Sequence, residues 1–370
     1  MRLAQVAAGF TAGEADQLRR AMAAWRRSGD LERFHAKLID GMTARGLTAE
    51  FAEQVFAQIR GFSEYGFPES HAASFALLVY VSAYLKHYFP AAFCAALINS
   101  QPMGFYAPAQ LIRDAREHAV CMRAIDVNHS EWDCTLEEGS LRLGFRLVKG
   151  MPQAAVERIV AGRPFRSLQD FARRTQLNQA TITRLAEADA FGSLELDRRS
   201  GLWQALAERR SHAPLFAELE DEDPPAELPP MAPLEQVFAD YRTAGFSLKA
   251  HPLSFFREQL NQQRIVRAVD LKTTADGRRV RVAGIVLMRQ RPGTARGITF
   301  VTLEDETGVA NLVIRPEIWD RYYAIARCSP AWIAQGVLES KETVIHLVVN
   351  RLENLSSRLG ELHVASRDFH

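Results

Sequence analysis

The chain has 370 residues, of which 47% are hydrophobic and 24% are charged, and its formal net charge is +1 at pH 7. This length predicts two or three domains of about 100–200 residues each, with enough apolar material for real cores. The composition excludes wholesale disorder, a collagen-like repeat and a uniformly basic histone-like protein. No apolar run reaches the roughly 18–20 residues of a membrane helix, and the N-terminus lacks a signal-peptide layout, which together favour a cytoplasmic protein with no membrane partner.

Charge is distributed unevenly along the chain. Residues 141–212 carry 13 Lys and Arg against 7 Asp and Glu, whereas residues 213–240 carry 8 acidic residues and no basic ones. A segment rich in acid and proline buries too little surface to offset its ordering entropy, so residues 213–240 are predicted to be an exposed linker. Two basic blocks on either side of it suggest two surfaces that face a polyanion, although solvated helix faces would give the same pattern.

Residues 1–135 are predicted to be helical. Phe51, Val55 and Ile59 recur at helical spacing and indicate an amphipathic helix. Ser70 is a plausible N-cap for the next helix, which is apolar on most sides and is therefore expected to be buried. Further helices are predicted at residues 91–99 and 109–118.

Residues 141–212 show the pattern of a helix-hairpin-helix domain. Lys149 and Gly150 follow a hydrophobic run and precede a new helix that includes Gln153 and Arg158. A glycine turn before a helix N-terminus points backbone N–H groups at a phosphate, and the helix dipole helps to hold it. These four residues are the predicted duplex DNA contacts, although a glycine that only ends a helix would look similar. A second, degenerate copy is predicted at residues 177–194, where the hairpin glycine is missing.

Residues 270–355 change to the alternating pattern of strands. Five short strands with a helical insert near residues 316–325 suit a small OB-type barrel. Arg289, Arg291 and Arg296 lie in the first hairpin near Phe300, and basic residues beside an aromatic ring can hold a single DNA strand by phosphate contacts and stacking. The alternative is a structural barrel with a solvated arginine loop. The acidic residues of the turn at 304–306 are expected to face solvent.

Several long motifs resemble the bacterial C-family DNA polymerases, which are similar to the DNA polymerase III alpha subunit, and best match their error-prone DnaE-type branch. The clearest is residues 62–77, FSEYGFPESHAASFAL, which resembles the fingers region. The resemblance continues at residues 13–22, 90–93 and 97–106, through the hairpin block, and into residues 300–308 and 366–370. It covers almost the whole chain and implies an α+β multidomain fold.

The resemblance implies a domain organisation and a nucleotide site. Its domains are helical polymerase fingers at 1–135, a helix-hairpin-helix domain at 141–212, the acidic linker at 213–240, connecting helices at 241–269, an OB-fold domain at 270–355 and a tail at 356–370. In the fingers, Arg19 and Arg20 would face the triphosphate of the incoming dNTP, and Ser70 and His71 would lie near the same site. A solvated helix face, or a helix cap with a packed histidine, would account for the same residues.

Polymerisation needs carboxylates that hold two metal ions, and the family places them on a palm upstream of the fingers. We recognise no such palm carboxylates in this sequence. It therefore predicts no catalytic and no metal-binding residue here, and it predicts Mg²⁺ only for a complete polymerase. We therefore expect a C-terminal piece that binds primer–template duplex and single-stranded template but does not extend a primer alone. The alternatives are a non-catalytic DNA-binding module, half of a split polymerase, and an OB-barrel protein that handles tRNA.

The resemblance also implies partners. The error-prone branch is associated with the DNA-damage response and with accessory proteins that recruit it to the sliding clamp. Residues 236–238 are a poor clamp-binding peptide because the acidic surroundings offer no evident benefit, so recruitment is expected to be indirect. The four cysteines, Cys94, Cys121, Cys134 and Cys328, form no Cys-x-x-Cys pair and fit reduced thiols of the cytoplasm.

Overall fold

The computed structural model describes residues 2–23, 33–65, 69–102, 106–207, 228–341, 344–356 and 367–369, with the backbone alone for 61–65, 69–71, 294 and 367–369. The chain divides into two compact units, Met1–Tyr88 and Phe89–His370. The first boundary therefore lies at residue 88, whereas the sequence suggested 135. None of the helices within the described ranges has the length and apolar character that a bilayer crossing requires.

The first unit is helical. Its described helices are α1 (Arg2–Ala8), α2 (Ala12–Ala23), α3 (His35–Thr43), α4 (Ala49–Tyr65) and α5 (Glu69–Tyr88). Leu18, Leu38 and Met42 have no exposed surface and form the centre of a small core between the first four helices. Val55 and Ile59 pack on this core as the periodicity predicts, whereas Phe51 is exposed.

The helix α5 differs from the prediction that it is buried. Every residue from 73 to 85 is exposed, and Leu77, Val79 and Tyr80 each have 64% or more of their surface in solvent. The sequence correctly predicted an apolar helix, but an apolar helix is buried only where a surface covers it. The expectation of burial is wrong for the chain described here.

The second unit begins with a helical block. It contains α6 (Pro90–Asn99) and α7 (Pro108–Glu117), a three-stranded sheet of β1 (Met122–Arg123), β2 (Thr135–Glu137) and β3 (Ser140–Arg142), and then α8 (Gln153–Gly162), α9 (Leu168–Thr175), α10 (Gln179–Glu187) and α11 (Arg198–Ala207). One continuous core joins Ile98 and Leu111 of the first two helices to Phe145, Ile159 and Phe171. The helices α6 and α7 therefore belong structurally to the hairpin block.

The helix α12 (Pro233–Thr243) begins inside residues 213–240, which were predicted to be an exposed linker, and ends in the predicted connecting helices. Pro233 stands at its first position, where the missing N–H costs no hydrogen bond. Val237 is 1% exposed and Tyr241 is 8% exposed, so the apolar face of this helix is packed. Charge and proline counts missed this apolar spacing, and the linker prediction is wrong from residue 233 onward. Residues 208–227 lie outside the described residues.

The rest of the second unit is a closed barrel that rests on short helical turns at Pro252–Phe256 and Ala268–Thr273 and on α13 (Arg257–Gln262). Its strands are β4 (Arg279–Gln290), β5 (Thr299–Asp305), β6 (Gly308–Ile314), β7 (Ala331–Lys341) and β8 (Val344–Asn354). They pair in the closed order β4-β5-β6-β8-β7-β4, and β6 and β8 are parallel.

Two short helices, α14 (Pro316–Arg321) and α15 (Tyr323–Cys328), connect β6 to β7, and β9 (Arg367–Phe369) adds to the edge of β4. Five closed strands with a helical connection after the third are consistent with an OB fold. Trp332 is completely buried at the centre of the barrel. The predicted α+β multidomain fold, with helices first, a helix-hairpin-helix domain next and a small all-β OB-fold barrel last, is confirmed.

Candidate nucleic-acid interface

The first hairpin ends in an exposed helix N-terminus. Gly150 adopts a φ of +72°, a left-handed conformation that glycine accepts without steric cost. Pro152 is the N-cap of α8 and supplies no side-chain hydrogen bond, and Gln153 in the first turn is exposed. First-turn N–H groups have no partner within their own helix and carry the positive end of its dipole. This hairpin therefore has the geometry to bind an anion such as a phosphate.

The second, degenerate copy has the same backbone. Gln176 takes the place of the missing glycine, with a φ of +50°, and α10 begins after Asn178. Unlike Pro152, Asn178 caps its own helix, because its Oδ1 accepts hydrogen bonds from the Thr181 backbone N–H at 2.8 Å and hydroxyl at 2.9 Å. Its N-terminus is therefore partly satisfied within the chain, and the first hairpin is the better anion site.

Two arginines connect the copies reciprocally. Arg184 of α10 donates a hydrogen bond to the carbonyl oxygen of Gly150 at 2.8 Å. Arg158 of α8 donates to the carbonyl oxygen of Gln176 at 3.3 Å. Each arginine stands six residues after the N-cap of its helix, and each accepting residue stands two residues before the N-cap of the other. Each hairpin turn therefore has an arginine from the other copy beside it.

Arg184 was not among the predicted contacts. The signal for it was present, since residues 150–158 and 176–184 read GMPQAAVER and QLNQATITR, with the arginine at the same position in each. One hydrogen bond to a carbonyl leaves further N–H donors of a guanidinium for a phosphate. We therefore add Arg184 to the candidate interface.

Lys149 has a different environment from the one that the sequence suggested. Its ammonium donates to the carbonyl oxygens of Tyr241 and Arg242, each at 3.1 Å, at the C-terminal end of α12. Partial burial lowers the pKa of this lysine from its ordinary value. A cation at a helix C-terminus is stabilised by the unpaired carbonyls and the dipole, so the geometry gives Lys149 the role of attaching α12 to the hairpin.

The barrel presents a second basic surface. Arg291 and Arg296 lie in the loop between β4 and β5 and are both exposed, and Arg296 has a φ of +48°. Phe300 stands near the start of β5 with 40% of its surface exposed, which is high for a phenylalanine. On neighbouring strands the Thr302 hydroxyl bonds to Asn311 at 3.2 Å. This face of the barrel combines an aromatic ring with cations and polar groups, as a single-strand binding surface requires.

Arg289 does not share this exposure. It is 7% exposed, its guanidinium donates to the carbonyl oxygens of Ala326 and Ser329, each at 2.8 Å, and it lies over the ring of Trp332 at 5.3 Å. A β-bulge between Val286 and Met288 shifts the alternation of β4, so that Arg289 pairs with the core residue Val301 and faces inward. The geometry corrects the sequence-based grouping: Arg289 attaches α15 to the barrel, and we remove it from the candidate interface.

In the first unit, Arg19 and Arg20 extend from α2 with 60% and 73% of their side chains exposed. Both donate to the carboxylate of Asp16, at 2.9 and 2.8 Å, and these bonds hold the pKa of Asp16 below its usual value. Two cations share one carboxylate, so a net positive charge faces solvent there. The helix α5 begins at Glu69, so Ser70 lies inside its first turn with His71 and is not its N-cap, and the side chains of both lie outside the described residues.

The acidic turn between β5 and β6 contradicts the expectation that it faces solvent. Glu304, Asp305 and Glu306 have only 13%, 1% and 16% of their side chains exposed, and each one is paired with an arginine. Within the described ranges, no three His, Cys, Asp or Glu side chains are grouped so as to hold a metal ion. The most concentrated carboxylates in the barrel already neutralise arginines, so these residues do not fit a catalytic Mg²⁺ site.

Comparison with known proteins finds family models and relatives that are similar in sequence to this chain. The family model for the bacterial DNA polymerase III alpha subunit finger domain matches residues 1–46, and the helix-hairpin-helix motif model matches residues 119–201. The error-prone DNA polymerase of Rhodopirellula baltica is 57% identical over 382 residues, covering all of this chain and 33% of that protein. That of Alkalilimnicola ehrlichii is 51% identical, and error-prone DNA polymerase 1 of Rhizobium meliloti is 48% identical, with 37% and 36% of those proteins covered.

The chain thus spans about a third of the length of these relatives, and it matches them from one end to the other. Finger-domain and helix-hairpin-helix sequences occur in it in the order that the motifs predicted. Over its whole length the chain is therefore similar to error-prone DNA polymerases, of which it matches a part.

Proposed function

We propose that this chain holds primer–template DNA for an error-prone, template-directed DNA polymerase, with the duplex at the hairpins and the single-stranded template at the barrel. The observation that carries the proposal is the exposed N-terminus of α8 after Gly150, flanked by Arg158 and Arg184. Backbone N–H groups and arginines bind phosphate without reading sequence, which suits an enzyme that must hold any template.

The barrel contributes the single-strand contacts in this proposal. Arg291 and Arg296 would hold phosphates, and Phe300 would stack on a base. Base stacking tolerates every sequence because each base has a flat π-face. The surface therefore supports the same sequence-independent binding as the hairpins.

The nucleotide contacts are the third part of the proposal. Arg19 and Arg20 would receive the triphosphate of an incoming dNTP, which would displace the carboxylate of Asp16 from both. Fixed positive charge stabilises the negative charge that develops on a departing pyrophosphate. Ser70 and His71 would lie near the same phosphates. The Mg²⁺ ions and the carboxylates that hold them would come from the palm of the complete polymerase.

The exposed helix α5 supports the view that further polymerase sequence is needed. From residue 73 to residue 85 its apolar side chains face solvent, and an exposed apolar surface of this extent marks an interaction site. We propose that the palm-bearing part of the polymerase covers it, either in one chain or as the partner in a split enzyme. A role in damage tolerance, with accessory proteins that connect the polymerase to the sliding clamp, is proposed from the names of the relatives and the motifs.

Primer extension tests the proposal. The chain is incubated with a primed template, all four dNTPs and Mg²⁺, alone and with a palm-bearing polypeptide from a relative. We expect no extension by the chain alone, extension when both are present, and a Kd for DNA that rises steeply with salt. Extension by the chain alone would refute the view that it lacks catalytic carboxylates.

The alternative is a non-catalytic DNA-binding module, for which the self-contained hairpin domain is the supporting observation. That alternative predicts the same salt-dependent binding but no extension with any palm-bearing polypeptide. Absence of salt-dependent DNA binding would refute both candidates.

A further inference from the structure

The turn between β5 and β6 connects the barrel to α13. Arg257 opens α13 and donates to both carboxylate oxygens of Glu306, at 2.5 and 2.9 Å, and to Asp305 at 3.1 Å. Asp305 also accepts from the backbone N–H of Ala268 at 2.8 Å. A bidentate arginine–carboxylate pair fixes orientation as well as distance. The barrel is therefore held to α13 in a defined geometry.

The same turn reaches the helical block. Glu304, the residue before Asp305, forms an ion pair with Arg113 of α7. Leu111 and Ala115, on the same helix, lie in the core of the helical block. Burial raises the pKa of Glu304 although Arg113 opposes the change. Three consecutive acidic residues of one barrel turn are thus paired with arginines from two separate helices.

Apolar packing completes the connection between α12, α13 and the barrel. Val237 and Leu260 pack in one cluster with Ile285 and Ile333 of the barrel. At its other face α12 is attached to the helical block, where the buried Arg198 donates to Asp240 and to the carbonyl oxygen of Gln236. Together with the Lys149 contact described above, these bonds join the hairpin block to the barrel through α12 and α13.

We propose that the acidic turn Glu304–Glu306 is a positioning cluster that fixes the barrel at one orientation on the helical block. Because the arginines that pair with this cluster lie on other helices, the two DNA-facing surfaces keep a constant distance and orientation. The hairpins and the barrel loop can then bind one DNA molecule together. Binding at the second surface then becomes an intramolecular event with a high effective concentration. This use of the cluster rests on the proposed function, but the fixed orientation does not.

The native cysteines allow the orientation to be measured directly. Cys121 in the helical block and Cys328 in the barrel are exposed, whereas Cys94 and Cys134 are buried. Burial raises the pKa of the Cys94 thiol to about 12 and also raises that of Cys134, so both remain protonated and react slowly with thiol reagents. Spin labels therefore attach to one site on each side of the connection without any added cysteine.

The test is the distribution of distances between spin labels on Cys121 and Cys328, measured by pulsed electron–electron double resonance in the absence of DNA. We expect one narrow distribution for the native chain and at least a twofold broader one for Arg257→Leu and for Glu304→Gln. Arg113 is one-third exposed, so solvent can accept its charge and Glu304→Gln is expected to fold even where Arg257→Leu does not. Glu317→Gln, an exposed carboxyl of the barrel helix α14, is the matched control.

DNA binding supplies the functional measurement. The Kd of a duplex with a single-stranded overhang should rise at least tenfold in Glu304→Gln, while those of a blunt duplex and of a single-stranded oligonucleotide stay within twofold. An unchanged distance distribution in the folded variant would overturn the proposal, and so would an equal loss on all three DNAs. If the native chain binds no DNA, the proposed function fails, whereas the distance distribution still tests the fixed orientation.

Discussion

Arg184 and Arg158 occupy equivalent places in two copies of one hairpin, and each donates a hydrogen bond across to the other copy. Arg184 reaches the carbonyl oxygen of Gly150, and Arg158 reaches that of Gln176. Both accepting residues have left-handed backbones, so their carbonyls turn toward the neighbouring helix. The exchange pairs the two hairpins and leaves guanidinium groups at the surface where a phosphate would bind.

The first prediction concerns these arginines. Arg184→Gln should weaken duplex binding at every sequence and reduce the slope of log K against log salt by about 1, because one phosphate contact is lost. Arg158→Gln should have a similar effect. Filter binding or fluorescence anisotropy at four salt concentrations measures both. Arg321→Gln, which removes the same charge from α14, should leave the slope unchanged, and an unchanged slope in Arg184→Gln would remove that residue from the interface.

Lys149 should behave differently from its arginine neighbours. Lys149→Met keeps the aliphatic chain but loses the two hydrogen bonds to the C-terminal carbonyls of α12, so it should lower the free energy of unfolding by about 1 kcal/mol. The salt slope for duplex DNA should stay the same. Urea unfolding and anisotropy measure the two effects. A lower salt slope with unchanged stability would instead return Lys149 to the set of phosphate contacts.

The sequence predicted the architecture well because its signals are local. Alternating strands, a glycine hairpin and an open helix start each need only a few neighbouring residues, and the structure contains all three. The repeated block was also detected, although the alignment of Arg158 with Arg184 was overlooked. Local patterns of this kind survive without any knowledge of tertiary contacts.

The failures concern side chains whose partners are distant in sequence. Arg289 donates to Ser329 and Lys149 donates to Tyr241. Glu304 pairs with Arg113, which lies 191 positions earlier in the sequence. A charged side chain looks the same in a sequence whether it faces solvent or a buried partner. The local motif around each residue therefore assigned all three to the surface.

The barrel loop gives a prediction about single-stranded DNA. The double variant Arg291→Ala/Arg296→Ala should weaken binding of a single-stranded oligonucleotide more than binding of a duplex. Phe300→Ala should cost a further 1–3 kcal/mol, roughly the value of one stacked base. Arg289→Met should lower the melting temperature of the chain, because the carbonyls of Ala326 and Ser329 lose a buried donor. Equal losses on both DNAs for the loop variants would contradict the assignment.

His251 gives a prediction about pH. Its Nδ1 accepts a hydrogen bond from the Leu253 backbone N–H at 3.2 Å, and its Nε2 is buried. Burial lowers the pKa of the imidazole to about 4; Asp305 opposes this effect, whereas Arg113 and Arg257 add to it. Between pH 6.5 and 4, His251 binds a proton in the unfolded chain but stays neutral in the folded chain. Stability contributed by this group is therefore complete above pH 6.5 and is lost as the pH falls, by about 3 kcal/mol at most.

The variant His251→Asn isolates this effect, since asparagine also accepts a hydrogen bond at a helix start. Urea unfolding at pH 7.5, 6.5, 5.5 and 4.5 should show a smaller loss of stability in the variant than in the native chain. Burial raises the pKa of Glu304, which acts with the opposite sign but equally in both proteins. His118→Asn, at an exposed position, is the control. Parallel pH profiles for the native chain and His251→Asn would show that burial does not hold this imidazole neutral.

The exposed helix α5 leads to the last prediction. Leu77 and Tyr80 lie on one side of it at a spacing of three residues, and no acidic residue follows Glu69 in the helix. An apolar surface of this size should make the isolated chain self-associate, with a sedimentation coefficient that rises with concentration. Leu77→Glu/Tyr80→Glu should restore a monomer, since glutamate is a good helix former and repels a second copy. The control Val344→Glu, at a single exposed apolar position of β8, should not change the self-association. Addition of the palm-bearing polypeptide should slow hydrogen exchange at residues 73–85, and a native chain that stays monomeric and unprotected would show that α5 is no docking surface.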